Sequence, residues 1–319
     1  MTSRRGALAR VLLAAVMGLA ALASCERASP PSSGQPSGPP RIGDGPRVVV
    51  LSPALARTMQ DLGLARFVVG RHAFDTVSDQ AVPAVGDQLG IDYERLLALA
   101  PTHVLLESDA KGAPPRLESL ARDRAWAVRR VPVLSLSEVR ASPAALAEFF
   151  ANTAAAPAAE RVARLVDDFD RALARREPSL ARAGRVLLLL GTDPPAALGP
   201  GSFHHEILTS IGGTPALTEG APFVELDAED VRRLSPDAIV ILSTRGEGAV
   251  TGESVRASAG VLGTLDIPAA RSARFARLAD PLALTPSTAS ARLADRLAEI
   301  LETWSREEAG ARERESGGS

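Results

Sequence analysis

The chain has 319 residues, with 36 basic against 38 acidic side chains and a formal net charge of −2. That balance offers no basic face for nucleic acid, whose phosphates demand one. Cys25 is the single cysteine, so no disulfide framework is available and stability has to come from one large or two modest buried cores.

The first residues read as an export signal. Arg4, Arg5 and Arg10 precede an apolar run over 11–23, which is shorter than the ~20 residues a membrane span needs. Leu22-Ala23-Ser24-Cys25 closes the run and resembles the bacterial lipobox, in which the cysteine becomes an acylated N-terminus. Residues 1–25 are therefore expected to be a lipoprotein signal with Cys25 as the lipidation site. The Arg4-Arg5 pair leaves the general secretory and twin-arginine routes both open. Residues 26–46 are rich in Pro, Ser and Gly without apolar periodicity, as a flexible tether would be. A tethered body fits a protein that works close to a membrane.

From Arg47 the chain alternates short apolar runs with helical stretches, the pattern of α/β architecture. Strands are predicted over 47–51, 67–69, 104–106 and 131–134. Helices are predicted over 54–62, closed by Gly63; over 92–99, capped by Asp92 and stopped by Pro101; and over 117–124. The second half predicts a strand over 185–190, a turn-rich loop over 191–202 and a helix over 203–210 closed by Gly212-Gly213. A helix capped by Asp227 and stopped by Pro236 follows, and then a strand over 238–242.

The two helix–Pro–strand units superimpose in sequence. Asp92-Tyr93-Glu94-Arg95-Leu96, Pro101 and Val104-Leu105-Leu106 match Asp227-Ala228-Glu229-Asp230-Val231, Pro236 and Ile239-Val240-Ile241. The spacing is 135 residues both between the prolines and between the glutamates, and the strands at Arg47 and Arg185 lie 138 apart. A period that long implies two similar lobes, since solenoid repeats run ~20–50 residues. Between them, residues 157–177 carry Val162, Leu165, Val166, Phe169 and Leu173 at helical spacing, predicting a stiff helical connector. The expected organisation is an N-terminal lobe over 47–143, a linking helix over 144–182, a C-terminal lobe over 183–304 and a disordered tail over 305–319. A cleft between two lobes is a preferred place for a ligand.

These segments resemble the helical-backbone class of periplasmic binding proteins, which serve ATP-driven importers of iron–siderophores, haem and vitamin B12. The resemblance rests on Arg47-Val-Val-Val-Leu-Ser-Pro53, Val85-Gly86, the 92–101 and 234–241 segments, Gly199-Pro-Gly-Ser-Phe203 and Gly212-Gly213, in order along the body. It implies two α/β lobes joined by one long backbone helix, with the ligand cleft between them. It also implies that Glu94 and Glu229 dock onto arginines of the permease, although each also suits the first turn of a helix on electrostatic grounds. The resemblance puts the loops 71–76, 86–90, 193–203 and 280–286 at the cleft.

Within those loops His72 and Phe74 stand out, because imidazole can ligate haem iron and a phenyl ring can stack on a macrocycle. A solvated loop histidine is the other reading of His72. Phe203 and Phe223 are the remaining candidate aromatics. Asp75, Asp87, Asp193 and Asp280 are candidate polar contacts, with Glu107 a further acid at the same edge, and all of them also suit helix caps and turns. His103, at a strand entry, reads as structural, and of His204 and His205 one is expected to face solvent and one the lobe surface.

The expected ligand is a metal chelate carrying iron or cobalt, with no cofactor intrinsic to the protein. The expected partners are that small molecule and the permease of an importer at the inner membrane, for a monomer anchored in the cell envelope. Ligand sensing or scaffolding on the same fold remains the alternative. Catalysis is disfavoured: there is no Gly-x-Ser-x-Gly elbow, the Gly199-Pro200-Gly201 turn lacks a phosphate loop's lysine, and no His-Glu-x-x-His zinc signature is present.

Overall fold

The computed structural model of the chain describes residues 45–87, 89–108, 112–176 and 180–316. The expected signal, Cys25 and all of the tether before Gly45 lie outside them. The N-terminal lobe begins with β1 (Val48–Leu51), whose four side chains are all buried. Such a continuous apolar run belongs in a parallel sheet covered on both faces. α1 (Pro53–Asp61) follows, with Pro53 at its first turn and the Ser52 hydroxyl accepting from the Leu55 N–H at 3.1 Å. Then come β2 (Val68–Arg71), α2 (Tyr93–Ala98), β3 (His103–Glu107), α3 (Pro115–Arg124) and β4 (Ala127–Val131). The sheet runs β2-β1-β3-β4 and is parallel throughout.

β4 is displaced from the predicted 131–134. Arg129 and Arg130 break the apolar signal, and both are tolerated because β4 is an edge strand, where Arg129 reaches Glu148 at 2.8 Å.

Two helices lead to the second lobe. α4 (Leu136–Phe150) opens with a capping box between Ser135 and Glu138, and α5 (Ala159–Ala172) follows after a turn. The helix predicted over 157–177 is thus shorter at both ends, and a second helix packs against it. Phe169 is buried, and Val162, Leu165 and Leu173 pack against the same core, as the periodicity required.

The second lobe comprises β5 (Arg185–Thr192), β6 (Pro195–Leu198), α6 (Phe203–Ser210), β7 (Thr214–Pro215), β8 (Phe223–Glu225), α7 (Ala228–Leu234), β9 (Ala238–Ser243), β10 (Gly248–Thr251), α8 (Glu253–Ser258), α9 (Pro268–Arg271), β11 (Phe275–Ala279) and α10 (Ser290–Ser316). Its sheet runs β10-β11-β9-β5-β6-β8, with β7 beside β5. The predicted loop over 191–202 contains β6, because β5 continues to Thr192 and turns back at Asp193-Pro194. Two residues of turn chemistry and the small Ala196-Ala197 pair hid that hairpin.

The repeat is real in three dimensions. Val48 pairs with His103 in the first sheet as Val186 pairs with Ala238 in the second. The strand mouths close alike: the Thr102 N–H donates to the Arg47 carbonyl at 2.9 Å, and the Asp237 N–H to the Arg185 carbonyl at 2.9 Å.

The tail expected to be disordered is helical as far as Ser316. Leu297, Ile300, Leu301 and Trp304 give α10 a buried face, and Glu308 pairs with Arg274 at 2.7 Å, so packing carries the helix into its charged end. One face of each sheet shares a continuous apolar core with α1, α4, α5, α6 and α10. The opposite faces are covered separately by α2 and α3 in the first lobe, and by α7, α8 and α9 in the second. Both lobes and their connector belong to one unit, Gly43–Ser319.

Candidate functional site

The carboxy ends of parallel strands gather loops on one edge of each sheet, where open α/β folds bind ligands. In the first lobe that edge carries Ser52 after β1, the 72–92 loop after β2, Glu107 at the end of β3, and Leu134 after β4. The Ser52 hydroxyl donates to Glu107 Oε1 at 2.6 Å, joining the two central strand ends. In the second lobe the matching edge carries Asp193 after β5, Arg245 after β9 and Leu284 after β11. The lobes meet where α4 leaves β4: the Leu136 N–H donates to Glu206 Oε2 of α6 at 3.0 Å.

At the first edge Phe74 is exposed, and His72 and Asp87 are part-exposed. Phe74 is 76% exposed, with its ring centroid 5.8 Å from that of His72. Partial burial holds the His72 imidazole below its ordinary pKa, against the opposing pull of Asp87, Glu107 and Asp75. The Phe74 N–H donates to His72 Nδ1 at 3.1 Å. That bond favours the neutral tautomer with its proton on Nε2. Asp87 Oδ1 accepts from the N–H groups of Leu89 and Gly90 at 2.8 and 2.7 Å. The Gly90 bond, with the Leu89 bond behind it, holds its carboxyl below the usual range. Gly86 is required beside it, because at φ +92° a Cβ would stand 2.1 Å from the Gly90 carbonyl oxygen.

Three of the predicted contacts serve the fold instead. Asp75 is buried, with Oδ1 accepting from Val77 and Ser78 N–H groups as an Asx turn. Phe203, at the start of α6, packs in the shared core. Asp280 is 1% exposed and makes a forked pair with Arg292 at 2.7 and 3.0 Å. Burial pushes the Asp280 carboxyl up, but Arg292, the Leu282 N–H and Arg296 outweigh it, so the group titrates below its ordinary range. It pins the end of β11 to α10. Asp193 is exposed in its hairpin turn, and Phe223 lies half-exposed on the edge strand β8.

Sequence reasoning passed over the aliphatic contribution to this edge. Leu89 is 92% and Leu134 63% exposed, and Leu284 is exposed on the other lobe. The signal was there, since an unpaired leucine next to turn residues has no core to enter, but leucine is not diagnostic of a site. His103 is structural as expected: its ring meets Phe149 edge-on at 5.2 Å and Nδ1 bonds the Thr102 hydroxyl. His204 is buried and bonded to the Ala283 carbonyl, whereas His205 is part-exposed with Nε2 buried.

Glu94 and Glu229 occupy equivalent exposed positions in the first turns of α2 and α7. Glu229 contacts Arg232 at 3.3 Å across one helical turn, a solvent-screened pairing that a stronger partner can displace. Among the described residues no cluster of three or more His, Cys, Asp or Glu side chains is arranged to hold a metal ion. No described helix is long and apolar enough to cross a membrane.

Two α/β lobes presenting the carboxy edges of their strands, joined through helices and built on one repeat, define the two-lobe binding-protein fold. A family model described as "Periplasmic binding protein" matches residues 48–280, and the chain belongs to that family. It is 25% identical over 205 residues to the vitamin B12-binding protein of Salmonella choleraesuis (strain SC-B67), covering 63% of this chain and 74% of that one. Its structure is similar to the periplasmic heme-binding protein BhuT in complex with two hemes, with a TM-score of 0.62 at 24% identity over 82% of this chain and 99% of the other. It is also similar to the periplasmic heme-binding protein HutB of Vibrio cholerae, with a TM-score of 0.63 at 19% identity over 80% and 98% of the two chains.

Proposed function

We propose that this chain is the substrate-binding protein of an ABC importer, held in the cell envelope by a lipid on Cys25. It captures an organic chelate of iron or cobalt (an iron–siderophore, cobalamin or haem) in the interlobe cleft and passes it to the permease. The observation that carries the reading is the row of exposed apolar side chains, Phe74, Leu89 and Leu134, on loops at the carboxy edge of a parallel sheet. An apolar ligand face covering them gains ~25 cal/mol per Å² buried. The metal belongs to the ligand, and family membership and the B12-binding and heme-binding relatives support that class.

The shared core limits the mechanism. Lobes fused through one continuous packed interior tilt by small shifts instead of closing like a hinged jaw. Release then falls to the permease, which docks through Glu94 and Glu229 and draws the lobes apart. The protein acts as a monomer in this scheme, with one docking carboxylate on each lobe.

The test is melting of the purified chain against haemin, cyanocobalamin and ferric siderophores, with the visible spectrum of the recovered protein recorded in parallel. A ligand selective for the folded state raises the melting temperature. A shift with one class, together with co-purifying colour, is the expected result. No shift and no colour with any of them overturns the chelate reading. A bound chelate with no permease partner would turn the reading to sensing.

A further inference from the structure

A cavity of about 420 Å³ opens where α1, α5 and the beginning of α10 meet. Its walls therefore come from the first lobe, the connector and the second lobe. Its charged lining is Arg57, Asp61, Arg161, Arg164, Asp168 and Arg292. Most of these charges are already matched. Arg57 forks onto Asp61 at 2.8 and 3.0 Å, and Asp61 Oδ2 also accepts from the Thr288 hydroxyl at 2.6 Å, tying the lobes together. Arg292 is engaged by the buried Asp280, and Asp168 pairs with Arg171 at 2.9 Å.

Two cations are left over. Among the described residues the Arg161 guanidinium has no carboxylate or hydrogen-bond partner, and Arg164 reaches only the Glu160 carbonyl at 3.3 Å. They stand one helical turn apart on α5, side by side over the cavity. Gly63 makes room for the first: a Cβ there would lie 2.4 Å from Arg161 Nη1. The positive end of the α10 dipole faces the same space through Thr288, Ala289 and Ala291. A concave niche with two unmatched guanidinium forks is complementary to a doubly charged oxyanion.

We infer that this niche binds a phosphate-type dianion, free or carried on a lipid headgroup, between Arg161 and Arg164. Bound there, the anion joins α5 to the Asp61–Thr288 contact and braces the two lobes against each other at a point apart from the ligand edge.

The experiment melts the full chain carrying Cys25→Ser, so that no acyl anchor contributes, in inorganic phosphate or sulfate against chloride at matched ionic strength. The expected result is a saturable rise in melting temperature with phosphate and sulfate alone. Arg161→Ala with Arg164→Ala melts like the parent in chloride, since both side chains are exposed, and binds phosphate at least ~10-fold more weakly. Arg122→Ala with Arg124→Ala, removing as much charge from α3, keeps the rise. A rise that persists in the Arg161/Arg164 variant, or a parent without any anion-specific rise, overturns the inference. Sedimentation with vesicles of phosphatidylglycerol against phosphatidylcholine then separates the sources. Pelleting lost in the Arg161/Arg164 variant identifies a headgroup phosphate, and an anion response without pelleting identifies a free anion; both outcomes support the site.

Discussion

Ala100 and Ser235 hold the same left-handed backbone, φ 43° and 44°, at positions 135 residues apart, each directly ahead of a proline. Each ends a helix that bears one of the paired glutamates and redirects the chain into a central strand, β3 or β9. The strain has been kept in both lobes, at a cost of about 1–2 kcal/mol for a residue with a Cβ.

Glycine relieves that strain while adding freedom to the unfolded chain. Ala100→Gly and Ser235→Gly are each expected to be neutral or to stabilise by up to about 1 kcal/mol in urea unfolding. Ala163→Gly, in the exposed middle of α5, is expected to destabilise by about 1 kcal/mol. Destabilisation of similar size at all three sites would show that the left-handed residues carry no strain.

His204 makes stability depend on mild acid. Burial lowers its pKa from 6.5 to about 4, against the favourable bond from Nε2 to the Ala283 carbonyl at 2.7 Å. Among the described residues Nδ1 is buried without a partner, so protonation would place an unmatched N–H in the interior. The unfolded chain binds this proton from pH 6.5 downward and the folded chain only near 4. Stability is therefore complete above pH 6.5 and falls between 6.5 and 4, by about 3 kcal/mol in all. His204→Gln retains a donor towards Ala283 and is expected to flatten that part of the stability–pH curve. An unchanged slope in urea titrations from pH 7 to 4 would assign it to other groups.

Docking through paired carboxylates predicts a clean separation of two activities. Glu94→Ala with Glu229→Ala is expected to abolish uptake in cells while leaving the ligand's Kd and the melting temperature unchanged, because both side chains are exposed. Normal uptake by the double variant would remove these residues from the permease interface.

Phe74 is largely exposed, so shortening it leaves the fold unaffected. Phe74→Ala is expected to keep the parent's melting temperature and to raise the Kd of the chelate about 10-fold, read by quenching or absorbance titration. His72→Ala, by contrast, is expected to leave the spectrum of bound metal unchanged, because the bond from the Phe74 N–H favours the neutral tautomer with its proton on Nε2.

Legibility tracked how local each signal is. The Asp92 and Asp227 caps, the prolines at 101 and 236 and the apolar strands between them are decided within a few residues, and both units were found. β4 was misplaced because its edge position tolerates Arg129 and Arg130, and β6 was missed because Pro195 and the small Ala196-Ala197 pair carry no strand signal, their fitness depending on the neighbours β5 and β8. The site divides the same way. His72, Phe74 and Asp87 were recognisable as loop residues at a strand end. Nothing in the local pattern distinguishes Asp280, buried under Arg292 twelve residues on, from Asp193 in open solvent. Leu134 was passed over because a leucine beside turn residues, although it has no core to enter, does not by itself mark a site.

The chain passes between the lobes only once, through α4, a turn and α5, and every strand of each sheet comes from one unbroken stretch of sequence. The body is therefore divisible: a break in the turn near Asn152 would leave two fragments, each with a complete set of strands, and the apolar surface they share would be their means of reassembly.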